Sequence, residues 1–122
     1  MKRKHRLQMS QEEIDFVEYV LYAMSGWVIE SALIHAAKKG RKFTQAEVLQ
    51  AIKTGRVIEV NSYGRVLIRS AKGVCVVVSL CDRLAITVWF NAPHDNHKTL
   101  KRNEYTWDVN VISYIKNLRS TR

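Results

Sequence analysis

Cysteine and proline are scarce in this chain, and no apolar run approaches the roughly 20 residues that a membrane-spanning helix needs. The two cysteines, Cys75 and Cys81, lie in or just after one apolar segment, where their side chains are poorly oriented for a disulfide. Their spacing does not match a zinc site. His94, Asp95 and His97 are weak candidate metal ligands, and we predict neither a metal nor another cofactor.

A signal for secretion is also missing. The charged opening Met1–Arg6 is followed by the polar stretch Gln8–Glu13, where a signal peptide would need apolar residues. We therefore expect a protein of the cytoplasm without a membrane segment. A chain of 122 residues with 47% hydrophobic content is expected to bury one core.

Acidic residues are few. The chain has eleven Asp and Glu residues and twenty Lys and Arg residues, which gives a formal net charge of +9. Such a charge attracts a phosphate backbone. Clustering of the basic residues favours a binding face over an evenly solvated basic surface, which is the alternative. The clusters predicted to contact nucleic acid are Lys2, Arg3, Lys4 and Arg6; Lys38, Lys39, Arg41 and Lys42; and Lys98, Lys101 and Arg102.

Helical patterns fill the first half of the chain. The capping boxes Ser10/Glu13 and Thr44/Glu47 predict two helix starts. Apolar residues at three- and four-residue steps extend the first helix to about Lys39, unless Ser25-Gly26 bends or divides it. Gly55 is a natural end for the second helix.

Strand patterns follow, at 57–60, 65–69, 74–80 and 84–90, and the short connections between them predict an antiparallel meander. The segment 91–105 reads as a long exposed loop. Spacing at 111–118 favours a terminal helix over a strand, with Asp108 as its cap. We predict an α+β fold: a basic N-terminal arm at 1–9, and one domain at 10–122 in which helices cover a sheet of about four strands.

Metal-independent cleavage of RNA needs a base, an acid and a cation that stabilises the charged transition state. The candidate catalytic residues are His35, Arg65, Arg69, Thr87 and His94. Arg65 and Arg69 lie four residues apart in one strand and therefore point to the same face as Leu67. The alternative for Arg65 and Arg69 is a solvated strand face without a phosphate. The alternative for His35 is a structural role within the fold.

Three aromatic residues, Trp89, Tyr63 and Tyr105, are candidates for stacking on unpaired bases. Trp89 shares a predicted strand face with Thr87 and Ala85, and Tyr105 follows the polar loop. Packing within the protein is the alternative for all three side chains.

These motifs together resemble a known group of proteins. The segments that carry the resemblance are Ser31–Ala36, Lys39–Arg41, Thr44–Val48, Ala51–Glu59, Arg65–Ile68 and Ala85–Trp89. They are similar to small bacterial and phage domains placed in the barnase, EndoU, colicin D and RelE-like nuclease superfamily, over about half of the chain.

The resemblance implies helices packed on a four-stranded antiparallel sheet, and often a metal-independent endoribonuclease that an antitoxin or immunity protein restrains. His35 matches the helix histidine of these domains, Arg65 or Arg69 the strand arginine, and Thr87 the polar residue of the last strand. The chain departs from the family at Lys38–Arg41, where a further arginine is more usual, and in the segment after Phe90.

The prediction is therefore an RNA-binding, endoribonuclease-like protein of the toxin type. One alternative is a regulator that binds nucleic acid without cutting it. Another is a basic protein-interaction or inhibitor module of phage or bacterial origin. RNA is the predicted partner, an antitoxin or immunity protein is implied by the resemblance, and the oligomeric state is left open.

Overall fold

A computed structural model describes residues 1–91 and 105–120. The helices are α1 (Gln11–Ala23), α2 (Glu30–Lys38), α3 (Gln45–Thr54) and α4 (Val111–Ser120). The strands are β1 (Arg3–His5), β2 (Arg56–Asn61), β3 (Arg65–Arg69), β4 (Val74–Ser79) and β5 (Leu84–Phe90). The predicted α+β class and the terminal helix are confirmed, but the described sheet has five strands instead of about four.

The predicted helix starts are confirmed by both capping boxes. Ser10 and Thr44 each accept a hydrogen bond from the backbone of the glutamate three residues later, and each glutamate side chain accepts one in return. The apolar stripe that was predicted to reach Lys39 is divided, because the backbone leaves the helix after Ala23 and Gly26 has a φ of 76°. A positive φ favours glycine and interrupts a helix at this point.

The sheet is an antiparallel meander in the order β1-β2-β3-β4-β5. Register shifts between Val57 and Glu59, and between Val77 and Val78, place an extra residue in β2 and in β5. These residues are Ile58 and Ile86. Each irregularity changes which side chains share a face, since a bulge breaks the two-residue alternation.

The four helices that the structure describes cover one face of the sheet. The main core joins helical residues such as Val17, Ala32, Val48 and Ile115 to one face of the sheet, including Ile68. The opposite face carries a small apolar cluster made of Ile58, Leu67 and Cys75, with Val77 and Trp89 packed against it. We call this second surface the open face, because none of the described helices contributes to its cluster.

The N-terminal residues, which were predicted to form a basic arm, contribute a strand to the sheet. Arg3 lies opposite Asn61 and His5 opposite Glu59 in the pairing of β1 with β2. A short 3-10 helix follows at Arg6–Gln8. All three residues of β1 are basic or polar, so the sequence carries no apolar alternation that would have indicated a strand.

The terminal helix begins at a different cap from the one predicted. The side chain of Asn110, rather than Asp108, accepts a hydrogen bond from the Ser113 amide at 3.1 Å. The carboxylate of Glu13 accepts the Val111 amide at 2.9 Å and so ties α4 to α1. Within the described residues, no helix has the length and apolar character needed to cross a membrane. Cys75 and Cys81 are thiols, as expected.

Candidate functional site

A row of side chains crosses the open face from one edge of the sheet to the other. His5, Glu59, Leu67, Val77 and Thr87 lie opposite one another in successive strands. Residues paired across neighbouring strands in this way have Cβ atoms about 5 Å apart. The row therefore places titratable groups at the β1 edge, an apolar centre, and a hydroxyl at the β5 edge.

A cavity of about 220 Å³ opens on this face. Leu67 and Val77 contribute apolar surface to it. The polar and aromatic residues that line it are Arg3, Glu59, Asn61, Arg65, Thr87 and Trp89. Three residues predicted from sequence as catalytic or base-stacking, namely Arg65, Thr87 and Trp89, are thus brought to one concavity.

Glu59 is the residue of this site that sequence reasoning missed. Its carboxylate is buried, with the residue only 6% exposed. Arg3 Nη1 lies 3.5 Å from Oε2, and the hydroxyl of Tyr105 donates to Oε1 at 3.1 Å. The available signal was a lone carboxylate inside the apolar strand Val57–Val60, a position where an acidic side chain costs free energy unless it is paired.

Tyr105 was predicted to stack on bases, and the structure places it against the protein instead. It is 6% exposed, and its ring lies edge-on to His5 with centroids 5.5 Å apart. Its carbonyl accepts a hydrogen bond from Gln8 Nε2 at 2.7 Å. The ring packs within the protein, which was the alternative to stacking on a base.

Arg65 and Arg69 flank Leu67 in β3. Arg65 lines the cavity, with its guanidinium 5.8 Å from the ring centroid of Tyr63. Arg69 lies opposite Cys75, which lies opposite Trp89, so it belongs to the adjacent row of the same face. The two arginines therefore lie in different cross-strand rows of the open face, and they do not surround a single point.

Thr87 and Trp89 share the open face, but Ala85 does not. Ala85 is fully buried in the main core together with Val88. The bulge at Ile86 reverses the alternation between Ala85 and Thr87, which the sequence pattern could not reveal.

His35 lies apart from this cavity. It is exposed on α2, near the C-terminal end of a helix whose buried residues, Ala32 and Ala36, face the main core. The residues that line the cavity within the described chain do not include it. The structure thus separates His35 from Arg65 and Thr87, and its predicted catalytic role with them is not supported by their positions.

The second basic cluster, Lys38, Lys39, Arg41 and Lys42, is exposed between α2 and α3. It leads into Phe43, whose ring contacts that of Phe90 with centroids 4.7 Å apart at the end of β5. This cluster is thereby anchored beside the strand that carries Trp89.

The first basic cluster is divided by the fold. Lys2 is exposed, and Arg3 reaches the cavity. Lys4 is buried in a 2.9 Å ion pair with Glu13, and Arg6 pairs with Glu18 at 2.9 Å and also donates to the Val57 carbonyl. Lys4 and Arg6 thus make ion pairs within the fold, and their contact with nucleic acid stays a prediction. The predicted residues His94, Lys98, Lys101 and Arg102 lie outside the described residues.

Metal-binding geometry does not occur in the part of the chain that the structure describes, where no three His, Cys, Asp or Glu side chains gather around one point.

Comparisons of the chain with protein-family models, curated proteins and solved structures found no match. The arguments about function therefore rest on the open face itself.

Proposed function

We propose that the protein binds single-stranded RNA on the open face and cleaves it without a metal. One observation carries the proposal: a carboxylate, Glu59, and a guanidinium, Arg65, line the same cavity. Proton removal and stabilisation of developing negative charge are the two tasks that this reaction requires of a protein.

In the proposed reaction, Glu59 accepts the proton of a ribose 2′-hydroxyl. The 2′ oxygen forms a bond to the adjacent phosphorus while the bond from phosphorus to the 5′ oxygen breaks. Arg65 and Arg3 stabilise the added negative charge on the phosphate oxygens. The leaving 5′ oxygen takes a proton from an acid, a role that we assign to His94 on sequence grounds. The products are a 2′,3′-cyclic phosphate and a free 5′-hydroxyl.

Binding is assigned to the remaining side chains of the open face. Trp89 offers a ring on which an unpaired base can stack, a contact worth about 1–3 kcal/mol in proteins that bind single strands. Arg69 lies in the same row as Trp89, and we assign it to attract the next phosphate. Thr87, which lines the cavity together with Trp89, supplies a hydroxyl for hydrogen bonding.

The proposal is tested by incubating the protein with RNA in the presence of a chelator. The wild type is expected to produce fragments with cyclic phosphate ends. Glu59→Gln should slow cleavage roughly 100- to 10,000-fold, the usual contribution of a general base. Arg65→Gln should slow it roughly 100- to 1,000-fold, because it removes a charge aimed at the transition state.

Lys53→Gln is the matched control for Arg65→Gln. It removes one positive charge from α3, in the helical layer, where Lys53 makes long contacts of 3.3 Å and 3.5 Å to backbone carbonyls and its ammonium lies 5.9 Å from the ring centroid of Tyr22. Its cleavage rate should equal that of the wild type. Equal losses of cleavage rate in Arg65→Gln and Lys53→Gln would mean that net charge matters and the cavity does not. Full activity in Glu59→Gln would show that Glu59 is not the base.

Binding without cleavage is the second candidate function. It is favoured by the position of His35 away from the cavity and by the contacts of Arg3 and Tyr105 with the two oxygens of Glu59. Intact RNA after incubation, together with retained affinity, would support it. The slope of log affinity against log salt should then fall by about 0.7 in Arg65→Gln, because one phosphate contact to a single strand is lost, and should not change in Lys53→Gln.

The protein-interaction alternative and the antitoxin or immunity partner remain predictions from sequence. Absence of both RNA binding and cleavage would favour the first of these. Capture of a protein from a nuclease-treated lysate would then identify the interaction.

A further inference from the structure

Tyr105 connects the C-terminal part of the chain to the proposed catalytic carboxylate. Its hydroxyl donates to Glu59 Oε1 at 3.1 Å, and its carbonyl accepts from Gln8 Nε2 at 2.7 Å. The ring packs edge-on to His5, the residue that lies opposite Glu59 in the sheet. The backbone, ring and hydroxyl of Tyr105 therefore contact Gln8, His5 and Glu59, respectively.

Packing alone does not account for the hydroxyl. A phenylalanine would fill the same space against His5, whereas a buried tyrosine keeps its hydroxyl only where it finds a hydrogen-bond partner. The partner here is a side chain that lines the cavity. Since Arg3 contacts Oε2 and Tyr105 contacts Oε1, the plane of the carboxylate is fixed from two sides.

We propose that Tyr105 is a positioning residue for Glu59 in the cleavage reaction, an inference that rests on the proposed function. A general base must lie within hydrogen-bonding reach of the proton it removes, and small displacements of a reacting group can cost up to about 100-fold in rate. A carboxylate has about four acceptor sites, so the two contacts orient it without by themselves preventing proton transfer. Tyr105 acts through Glu59 and does not touch the RNA.

The test is Tyr105→Phe, measured with a short single-stranded RNA under steady-state conditions. The turnover number kcat should fall roughly 10- to 100-fold, while KM stays within about twofold, because the carboxylate is misplaced but the binding surface is intact. If Tyr105 had a purely structural role, its loss would not lower kcat selectively while KM stays the same. Tyr19→Phe is the matched control, since Tyr19 is 67% exposed on α1, and it should leave both parameters unchanged.

Two further variants maintain the test if Tyr105→Phe melts at a much lower temperature than the wild type. Replacement of Tyr105 by 4-aminophenylalanine keeps the ring and a hydrogen-bond donor, so kcat should be retained. Replacement by 4-methylphenylalanine keeps the size without the donor, so kcat should fall as in Tyr105→Phe.

The outcomes separate the two proposals. If Glu59→Gln abolishes cleavage while Tyr105→Phe keeps the wild-type kcat, or changes only KM, the positioning role is overturned and the proposed function stands. If the wild type does not cleave RNA, or Glu59→Gln cleaves normally, the proposed function fails and the positioning role fails with it.

Discussion

Glu13 shows how one side chain joins three parts of the molecule. Its Oε1 accepts the Ser10 amide at 2.9 Å, and its Oε2 accepts Lys4 Nζ and the Val111 amide, each at 2.9 Å. Burial is the largest single effect and on its own would raise the pKa of Glu13. The hydrogen bonds from the Ser10 and Val111 amides and from Lys4, with the charge of Lys4, outweigh it and lower the pKa below its ordinary value of 4.5.

Glu13→Gln is expected to destabilise the protein by about 3 kcal/mol at pH 7, because it leaves the buried Lys4 ammonium without its counter-charge. Urea denaturation gives the free energy of unfolding. Glu12→Gln is the matched control, since Glu12 is exposed on the same turn of α1, and its effect should stay within about 0.5 kcal/mol.

The pH dependence of stability has a defined sign. A carboxyl group whose pKa is lower in the folded state stabilises the protein above its unfolded-state pKa and loses that contribution as the pH falls through the folded-state pKa. The unfolding free energy of the wild type should therefore decline below about pH 4.5, the ordinary value for Glu13, more steeply than that of Glu13→Gln. Parallel curves for the two proteins would contradict this account.

Local residue patterns predicted the capping partnership of Ser10 and Glu13, because both residues lie within one helical turn. The same patterns could not predict the pairing of Glu13 with Lys4 or with the Val111 amide. Glu59 was missed for a similar reason. Its partners, Arg3 and Tyr105, are 56 and 46 positions away along the chain.

Among the helices, α3 was the most fully predicted element. Thr44 Oγ1 accepts the Glu47 amide at 3.1 Å, and Glu47 Oε1 accepts the Thr44 amide at 2.9 Å. Hydrogen bonds from Thr44 are the main reason that the pKa of Glu47 lies below its ordinary value. The helix ends at Gly55, as expected, but with a φ of −74° instead of a left-handed conformation.

The glycine at position 55 is explained by packing between elements. A Cβ at this position would clash with the Ala51 carbonyl oxygen and would lie 2.6 Å from Cγ2 of Ile68. The end of α3 therefore passes so close to β3 that only glycine fits. The sequence pattern indicated the residue correctly as a helix end, but for a different physical reason.

Thr44→Ala is expected to lower the unfolding free energy by about 1 kcal/mol, the usual cost of losing a helix N-cap. Chemical denaturation followed by circular dichroism provides the measurement. Thr54→Ala serves as the control, because Thr54 lies at the other end of α3 and is exposed, and its effect should be within about 0.5 kcal/mol. A comparable loss in both variants would argue against a specific contribution from the cap.

At the scale of the whole molecule, the N-terminal strand determines which of its basic residues bind α1 and which reaches the candidate site. β1 completes the five-stranded sheet, and its residue Lys4 and the following Arg6 bind α1 through Glu13 and Glu18. The same strand brings Arg3 to Glu59. Residues 1–9 thus contribute to stability and to the candidate site together.

Removal of residues 1–9 is expected to destabilise the fold by at least about 3–5 kcal/mol, since it breaks the buried pair with Glu13 as well as the pairing of β1 with β2. Thermal melting followed by circular dichroism would show the change. Lys2→Gln, at an exposed position of the same segment, should melt at the wild-type temperature. A truncated protein with unchanged melting and weaker RNA binding would restore the interpretation of these residues as a basic arm.

The sequence by itself determined the α+β class, the starts of α1 and α3, and the four longer strands. These features depend on capping residues and apolar periods that act within a few neighbouring positions. It also placed Arg65, Thr87 and Trp89 on strands, but it could not decide which of them share a cavity.

Tertiary structure decided the composition of the site. The bulges at Ile58 and Ile86 set which side chains reach the open face, and the pairing of β1 with β2 brought Arg3 to Glu59. Packing of the C-terminal part against β1 added Tyr105, while α2 held His35 away from the cavity. These outcomes depend on contacts between segments that lie far apart in the chain. Such contacts contribute to stability only once the sheet has formed.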